Sequence, residues 1–324
     1  MYNIGHSIYV SNFQKVKQQL PSLYSDGNYV FISLHIMEEV DNNYLLNIKS
    51  MIKYIKDIGY KIISDVSKHS LEILGYNNIV SLQKELNINL IRIDYGYNIE
   101  EINEILKEIP LCLNASTITK QQLELLDNSK NDIYFMHNFY PHTDTGLDEE
   151  TYCKLHDLIN SYGYKSIPFI SSDINLRGPM YDGLVTLESH RFLPPYLQCL
   201  DYFINYHQQM VFVGDSLLSY NENTKILRFI NEDIITVEVE LDKKYSCLYD
   251  RVFNLRADSP KHLKRIAESR EYSKCGKEIA VDNNVYRSKG SITIDNKLYA
   301  RYSGELMLCL NDYKQDDRVN VIGR

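Results

Sequence analysis

The sequence predicts an α/β fold: a (β/α)8 TIM barrel over residues 1–230 and a small β-rich domain over 231–324. Three observations predict it. Short β-branched runs recur eight times in the first part, alternating with stretches whose apolar residues fall at helical spacing. Neither G-x-G-x-x-G nor G-x-x-x-x-G-K-[ST] follows any of these runs, which removes support for an open dinucleotide-binding sheet or a P-loop. From about Asn231 the apolar period changes from helical to two.

The eight runs are "NIGHSIYV" (3–10), "YVFISLHI" (29–36), "KIISDVS" (61–67), "LIRIDYG" (90–96), "LCLNAST" (111–117), "IYFMHNFYP" (133–141), "SIPFISSD" (166–173) and "MVFVGDS" (210–216). Between them, segments such as 42–60 and 149–164 carry helical spacing, and Gly59–Tyr60 and Gly163–Tyr164 read as helix stops. In the second part, 233–241, 251–259, 290–296, 297–302 and 304–310 alternate at period two. A tight turn is expected at Asp295–Asn296 and a short helix near 260–272.

Composition narrows the function. The chain has 324 residues, 44% of them hydrophobic, and a formal net charge of -8 without a dominant basic run, which argues against nucleic acid as the main partner. Six cysteines, Cys112, Cys153, Cys199, Cys247, Cys275 and Cys309, lie far apart without a C-x-x-C, so neither a disulfide framework nor a zinc site is expected. The N-terminus lacks a basic n-region and a cleavage pattern, and no apolar run approaches the ~20 residues of a spanning helix. The expectation is a cytoplasmic protein with no membrane partner, no metal and no cofactor; homo-oligomerisation stays open.

Barrel enzymes work from the C-terminal ends of their strands. There the sequence sets His6 on strand one and His35, followed by Glu38 and Glu39, on strand two. Asp65 ends strand three, Asp94 strand four, and Asn114 with Ser116 strand five. His137, Asn138 and Tyr140 end strand six, Ser171 to Asp173 strand seven, and Asp215 strand eight. Any one of these has a bland reading: an Asp or Ser can cap the next helix, and a histidine can be a satisfied core residue. Together they suggest a polar site, and its carboxylates suggest glycoside hydrolysis. Asp65 and Asp94 on neighbouring strands fit the ~5 Å spacing of a retaining or substrate-assisted pair, while Asp94 with Asp215 fits the wider inverting one. Glu188 is a reserve carboxylate.

The longest loop, Ser171–Pro195, contains Arg177, His190 and Arg191, and "TLESHR" from Thr186 is expected to open a helix. Arginine forks beside a helix N-terminus suit a phosphate. The competing reading is a solvated loop with a structural Arg–Glu pair involving Glu188.

These stretches resemble the 6-phospho-N-acetylmuramidase family, MurNAc-6-phosphate glycosidases whose members once carried the label outer surface protein. The likeness runs nearly end to end, through "GHSIYV", "FISLHI", "LIRIDYG", "LNAST", "MHNFYPHTDTGL", "FISSD", "RGPMYDGLVTLESHR", "VFVGDS", "ESREY", "GSITIDNKLYARYSGELMLCL" and "DRVNVIG". It implies a (β/α)8 barrel with a cyclophilin-like C-terminal domain. It implies hydrolysis of a phosphorylated amino-sugar disaccharide, MurNAc-6-phosphate linked to GlcNAc, in cytoplasmic cell-wall recycling. The family's motifs fall on Asp94, on His137 to Pro141, and on Arg177, Gly178, Pro179, Thr186, Leu187, Glu188, His190 and Arg191. Where many relatives carry an acid after the strand-four Asp, this chain has Tyr95.

On this reading Asp94 is the general acid or acid/base, with Asp65 or Asp215 as second carboxylate. His6, His35, Asn114, His137, Asn138 and Tyr140 bind the sugar; Arg177, Arg191 and His190 hold the phosphate. Two rivals remain at the level of sequence. One is a sugar-phosphate isomerase or aldolase, though no strand end offers a Schiff-base lysine. The other is a non-catalytic sugar-phosphate-binding protein, for which Tyr95 is the only support.

Overall fold

A computed structural model describes residues 2–34, 43–127, 131–269 and 278–324. The chain divides into two compact units, Met1–Asp233 and Ile234–Arg324.

The first unit is a parallel barrel. Its strands are β1 (Asn3–Ile8), β2 (Tyr29–Ser33), β3 (Lys61–Val66), β4 (Leu90–Ile93), β5 (Leu111–Asn114), β6 (Ile133–Met136), β7 (Ser166–Ile167), β8 (Phe169–Ile170) and β9 (Met210–Val213). They pair in the order β7-β6-β5-β4-β3-β2-β1-β9-β8. Because β7 and β8 are one chain segment interrupted at Pro168, this order closes a ring of eight staves. The helical spacing expected between strands forms helices including Tyr44–Ile58 and Glu149–Ser161. Gly59 ends the first at φ 116°, and its N–H is held by the carbonyls of Ile55 and Lys56. Asp148 caps the second by accepting the N–H of Thr151 at 2.8 Å.

Side chains alternate across each strand. One set packs the barrel interior: Phe31, Ile63, Leu90, Cys112, Met136, Ile167, Phe169 and Phe212. Gly5 makes room for this set, since a Cβ there would lie 2.4 Å from the Phe212 ring. The other set, including Ile8, Ile62, Ile91, Leu113 and Phe135, packs beneath the helices.

Proline has no N–H, so the seventh stave cannot pair continuously. The chain repairs this seam with the far end of the loop that follows. Thr186 N–H donates to the Phe169 carbonyl at 3.0 Å, and Thr186 Oγ1 accepts the Phe169 N–H at 2.9 Å. The same hydroxyl donates to the Asn138 carbonyl at 2.8 Å, while Tyr140 N–H meets the Val185 carbonyl at 2.9 Å. The stretch expected to open a helix is therefore extended wall, and only a 3-10 turn, Glu188–His190, follows it. Its would-be free N–H at Glu188 already donates to the Leu147 carbonyl at 2.9 Å, so no helix-end anion site exists there.

The second unit is an antiparallel sheet, β10 (Leu263–Arg265), β11 (Ile292–Asp295), β12 (Leu306–Cys309) and β13 (Val319–Gly323), ordered β10-β12-β11-β13. Its small core centres on Ile294, Leu306 and Ile322. Several expectations here are corrected. Residues 234–239 form no strand and leave Ile235 and Val237 more than half exposed, and only Glu240 to Asp242 pair, with Ile322 to Arg324: alternation alone does not make a strand. Lys297–Tyr302 forms 3-10 turns broken at Ala300 (φ 51°) and capped by Asn296, and β10 lies inside the stretch read as a helix. Asp295 and Glu305 are a cross-strand pair, the N–H of Asp295 donating to the Glu305 carbonyl at 3.0 Å. Arg265 satisfies one Glu305 oxygen at 2.7 Å, while Glu305 Oε1 and Asp295 Oδ1 are buried without a hydrogen bond. Burial, with the nearby Glu305 charge, pushes the Asp295 carboxyl up to about 7.

Candidate active site

At the C-terminal rim of the barrel, alternation brings one row of polar side chains inward, on top of the apolar interior. Asp65 follows Ile63 on β3, Arg92 and Asp94 follow Leu90 on β4, and Asn114 follows Cys112 on β5. They meet, with Asn138, around one buried guanidinium. Arg92 Nη1 donates to Asp65 Oδ1 at 3.0 Å and to Asp94 Oδ1 at 3.2 Å, and Nη2 donates to Asn138 Oδ1 at 2.6 Å. Burial opposes the charge of Arg92, but the two carboxylates outweigh it and its pKa is raised. Asn114 Nδ2 donates to Asp94 Oδ1 at 2.8 Å and to Asn138 Oδ1 at 3.0 Å, while Asn114 Oδ1 accepts the Ser116 N–H at 2.9 Å.

Access separates the two carboxylates. The Asp65 side chain is 5% exposed and the Asp94 side chain 23%. Asp94 is the carboxylate that reaches the surface of the cluster. Tyr95, next along, is 60% exposed.

Asp215 has a different task. It is fully buried and accepts three backbone N–H groups, from Ser172 and Arg177 at 2.9 Å and from Leu184 at 3.1 Å. Burial raises its pKa against the opposing effect of those bonds. It fastens the rim loop at Ser172, Arg177 and Leu184. In that loop the Arg177 guanidinium lies over the Tyr9 ring, 3.7 Å from its centroid, and Tyr9 Oη donates to the Gly214 carbonyl at 2.6 Å.

Glu188, Arg191 and His190 are likewise built into the wall. Glu188 accepts Arg191 Nε at 2.6 Å and Nη2 at 2.7 Å, and also the N–H groups of Asp144 and Gly146. The Arg191 bonds, helped by those N–H groups, hold the Glu188 carboxyl down at about 2. The same guanidinium donates to the carbonyls of Gly183 and Tyr140, and its side chain is 1% exposed. The structural Arg–Glu pair is thus present, with Arg191 buried and Glu188 partly exposed. His190 is buried against Tyr202 and meets Asp201 at 2.8 Å.

Two histidines fall on the wrong face. His6 shares the helix side of β1 with Ile4 and Ile8, and its Nδ1 donates to the Ser216 carbonyl at 3.2 Å. His137 shares the outward face of β6 with Phe135, buried against Tyr152. Burial drives the first down to about 4 and the second to about 3, so both are neutral. His137 still touches the site through Ser116, whose Oγ accepts the Asn138 N–H at 2.9 Å and lies 3.2 Å from His137 Nδ1. Tyr140 is partly buried, its backbone pairing with Val185. His35, Glu38 and Glu39 lie outside the described residues. Arg92 was not anticipated; the signal was its place on the Leu90–Asp94 face of an otherwise apolar strand.

Among the described residues no group of three or more His, Cys, Asp or Glu side chains is placed to hold a metal. No described helix is long and apolar enough to cross a membrane.

No curated protein matches the chain. Among solved structures, a conserved protein of unknown function from Enterococcus faecalis is 27% identical, with TM-score 0.83 over 100% of this chain and 90% of that one. An uncharacterized B. cereus protein is 23% identical, with TM-score 0.78 over 100% of this chain and 93% of that one. The family models for the N-terminal and C-terminal parts of 6-phospho-N-acetylmuramidase match residues 4–228 and 234–324. The chain therefore belongs to the 6-phospho-N-acetylmuramidase family, glycosidases that act on a phosphorylated muramic sugar.

Proposed function

We propose that the protein hydrolyses a disaccharide of MurNAc-6-phosphate and GlcNAc in the cytoplasm, in cell-wall recycling. The observation that carries the site assignment is the state of Asp94. Its Oδ1 is fixed by Arg92 and Asn114, while Oδ2 has no hydrogen bond among the described residues, in a side chain open to the rim. A carboxylate held by one oxygen and free at the other is arranged for proton transfer.

In this reading Asp94 gives a proton to the glycosidic oxygen as the bond to the anomeric carbon breaks. Asp65, its partner on Arg92 and buried below the rim with it, adds a negative charge that stabilises from a distance the positive charge developing at that carbon. Water then supplies hydroxide to the anomeric carbon and returns a proton to Asp94, so the balance is one water per bond cleaved. Two carboxylates on one guanidinium nitrogen support the close pair over the wide Asp94–Asp215 arrangement. Asn138 hydrogen-bonds the sugar, the Tyr140 segment forms its flank, and Arg177 binds the 6-phosphate.

The test is release of MurNAc-6-phosphate from its aryl glycoside and from the disaccharide. Wild type should turn over both, and Asp94→Asn should lose about 100-fold or more in kcat with an unchanged melting temperature. Full activity in that variant would remove Asp94 from the chemistry; inactivity of wild type on every phosphorylated muramic glycoside would remove the substrate assignment.

A further inference from the structure

We propose that Arg92 is the positioning residue of this site, aiming Asp94 and Asn138 at the substrate without touching it. The inference rests on the function proposed above and deepens it. With its side chain 4% exposed, Arg92 lies a layer below the rim and is closed off from a bound sugar.

Its hydrogen bonds decide which atoms of its neighbours remain available. Asn138 Oδ1 takes two donors, Arg92 Nη2 and Asn114 Nδ2, which turns the Nδ2 amide hydrogens of Asn138 to the opposite side. There they suit an acceptor such as a hydroxyl or N-acetyl oxygen. Asp94 Oδ1 also takes two donors, Arg92 Nη1 and Asn114 Nδ2, which leaves Oδ2 as the reacting oxygen. One planar fork thus sets the orientation of both a proton donor and a recognition amide. Lysine, with one nitrogen on a flexible stem, cannot span Asp65, Asp94 and Asn138 in that plane.

The cost of the arrangement points the same way. Burying a guanidinium carries a large desolvation penalty, and the barrel interior directly beneath is filled by the apolar Leu90, Ile63, Cys112 and Met136. Filling space at this layer needs only another apolar side chain. Fixing two polar groups at defined angles needs a fork.

The test compares Arg92→Lys, which keeps the charge, with Arg92→Met. Side-chain amide NMR of Asn138, assigned with Asn138→Asp, needs no substrate. Its NH2 pair should give one dispersed, fixed pair of signals in wild type and move toward solvent-like positions in both variants. With the aryl glycoside, kcat should fall about 100-fold in Arg92→Lys while KM stays within about threefold, and the acid limb of the kcat/KM profile should move. An Arg92→Lys protein with wild-type Asn138 resonances, kcat and pH profile overturns the inference, and so does a loss confined to melting temperature. Inactivity of wild type with the expected Asn138 changes in the variants would sink the function and leave the positioning role standing.

Discussion

The backbone N–H of Arg177 lies 2.9 Å from Asp215 Oδ1, and the guanidinium of the same residue stacks on Tyr9. One residue therefore anchors the rim loop by its main chain and lays its side-chain cation over Tyr9. The two roles are separable by substitution.

Asp215→Asn removes the anchor. An amide cannot accept all three N–H groups of Ser172, Arg177 and Leu184, because its own NH2 would face one of them. A buried N–H left without a partner costs roughly 1–3 kcal/mol. Denaturant titration should report a loss of that size, with KM rising more than kcat falls; unchanged stability would show that the loop finds other acceptors.

Arg177→Met keeps the anchor and removes the cation. KM for the 6-phosphorylated aryl glycoside should rise by about tenfold or more, as expected for losing a charge-assisted bond. Turnover of the same glycoside without phosphate should not change. Equal losses on both substrates would move Arg177 from phosphate recognition to loop structure.

Acid stability should depend on Glu188. Its carboxyl is depressed to about 2 in the folded protein by Arg191 and two N–H groups, against an ordinary value near 4.5. A depressed carboxylate stabilises the fold above its unfolded pKa and loses that contribution as pH falls through the window down to about 2. Glu188→Gln should therefore be less stable than wild type at pH 7 and converge on it in acid. Parallel stability curves across the window would contradict the linkage.

The second unit should respond in the opposite direction. Asp295 is raised to about 7, so the folded state holds a proton that the unfolded chain releases near pH 4. This group's contribution is present below pH 4 and is lost as pH rises to about 7. Asp295→Asn, neutral throughout, should flatten that fall. The amide signals of Ile294 and Leu306 followed against pH and denaturant would show whether it does.

Much of this organisation is legible in the sequence because strand ends are. Asp65, Asp94, Asn114 and Asn138 stand where β-branched runs stop, and the barrel gathers such positions on one rim. What the chain does not display is facing. His6 and His137 sit one residue off the inward row, and one residue in a strand turns a side chain to the opposite face. Arg92 is hidden for the complementary reason, being flanked by Ile91 and Ile93 in a run that reads as plain core. The partners of Glu188 and Arg191 are concealed by distance: Asp144, Gly146 and Gly183 reach them only through the folded loops. In the second unit, alternation at 234–239 forms no strand although 240–242 pairs with 322–324, so pairing is decided by the sheet and not by the pattern of the segment.

Loops at the top of such barrels are commonly regarded as interchangeable parts carried by an indifferent scaffold. The seam at Pro168 removes that freedom from one of them. Since Thr186 completes the wall between Phe169 and Asn138, exchanging this loop for another would open the barrel as well as change its mouth. Specificity in this protein can drift through the other connections, whereas this one must be inherited with the barrel it closes.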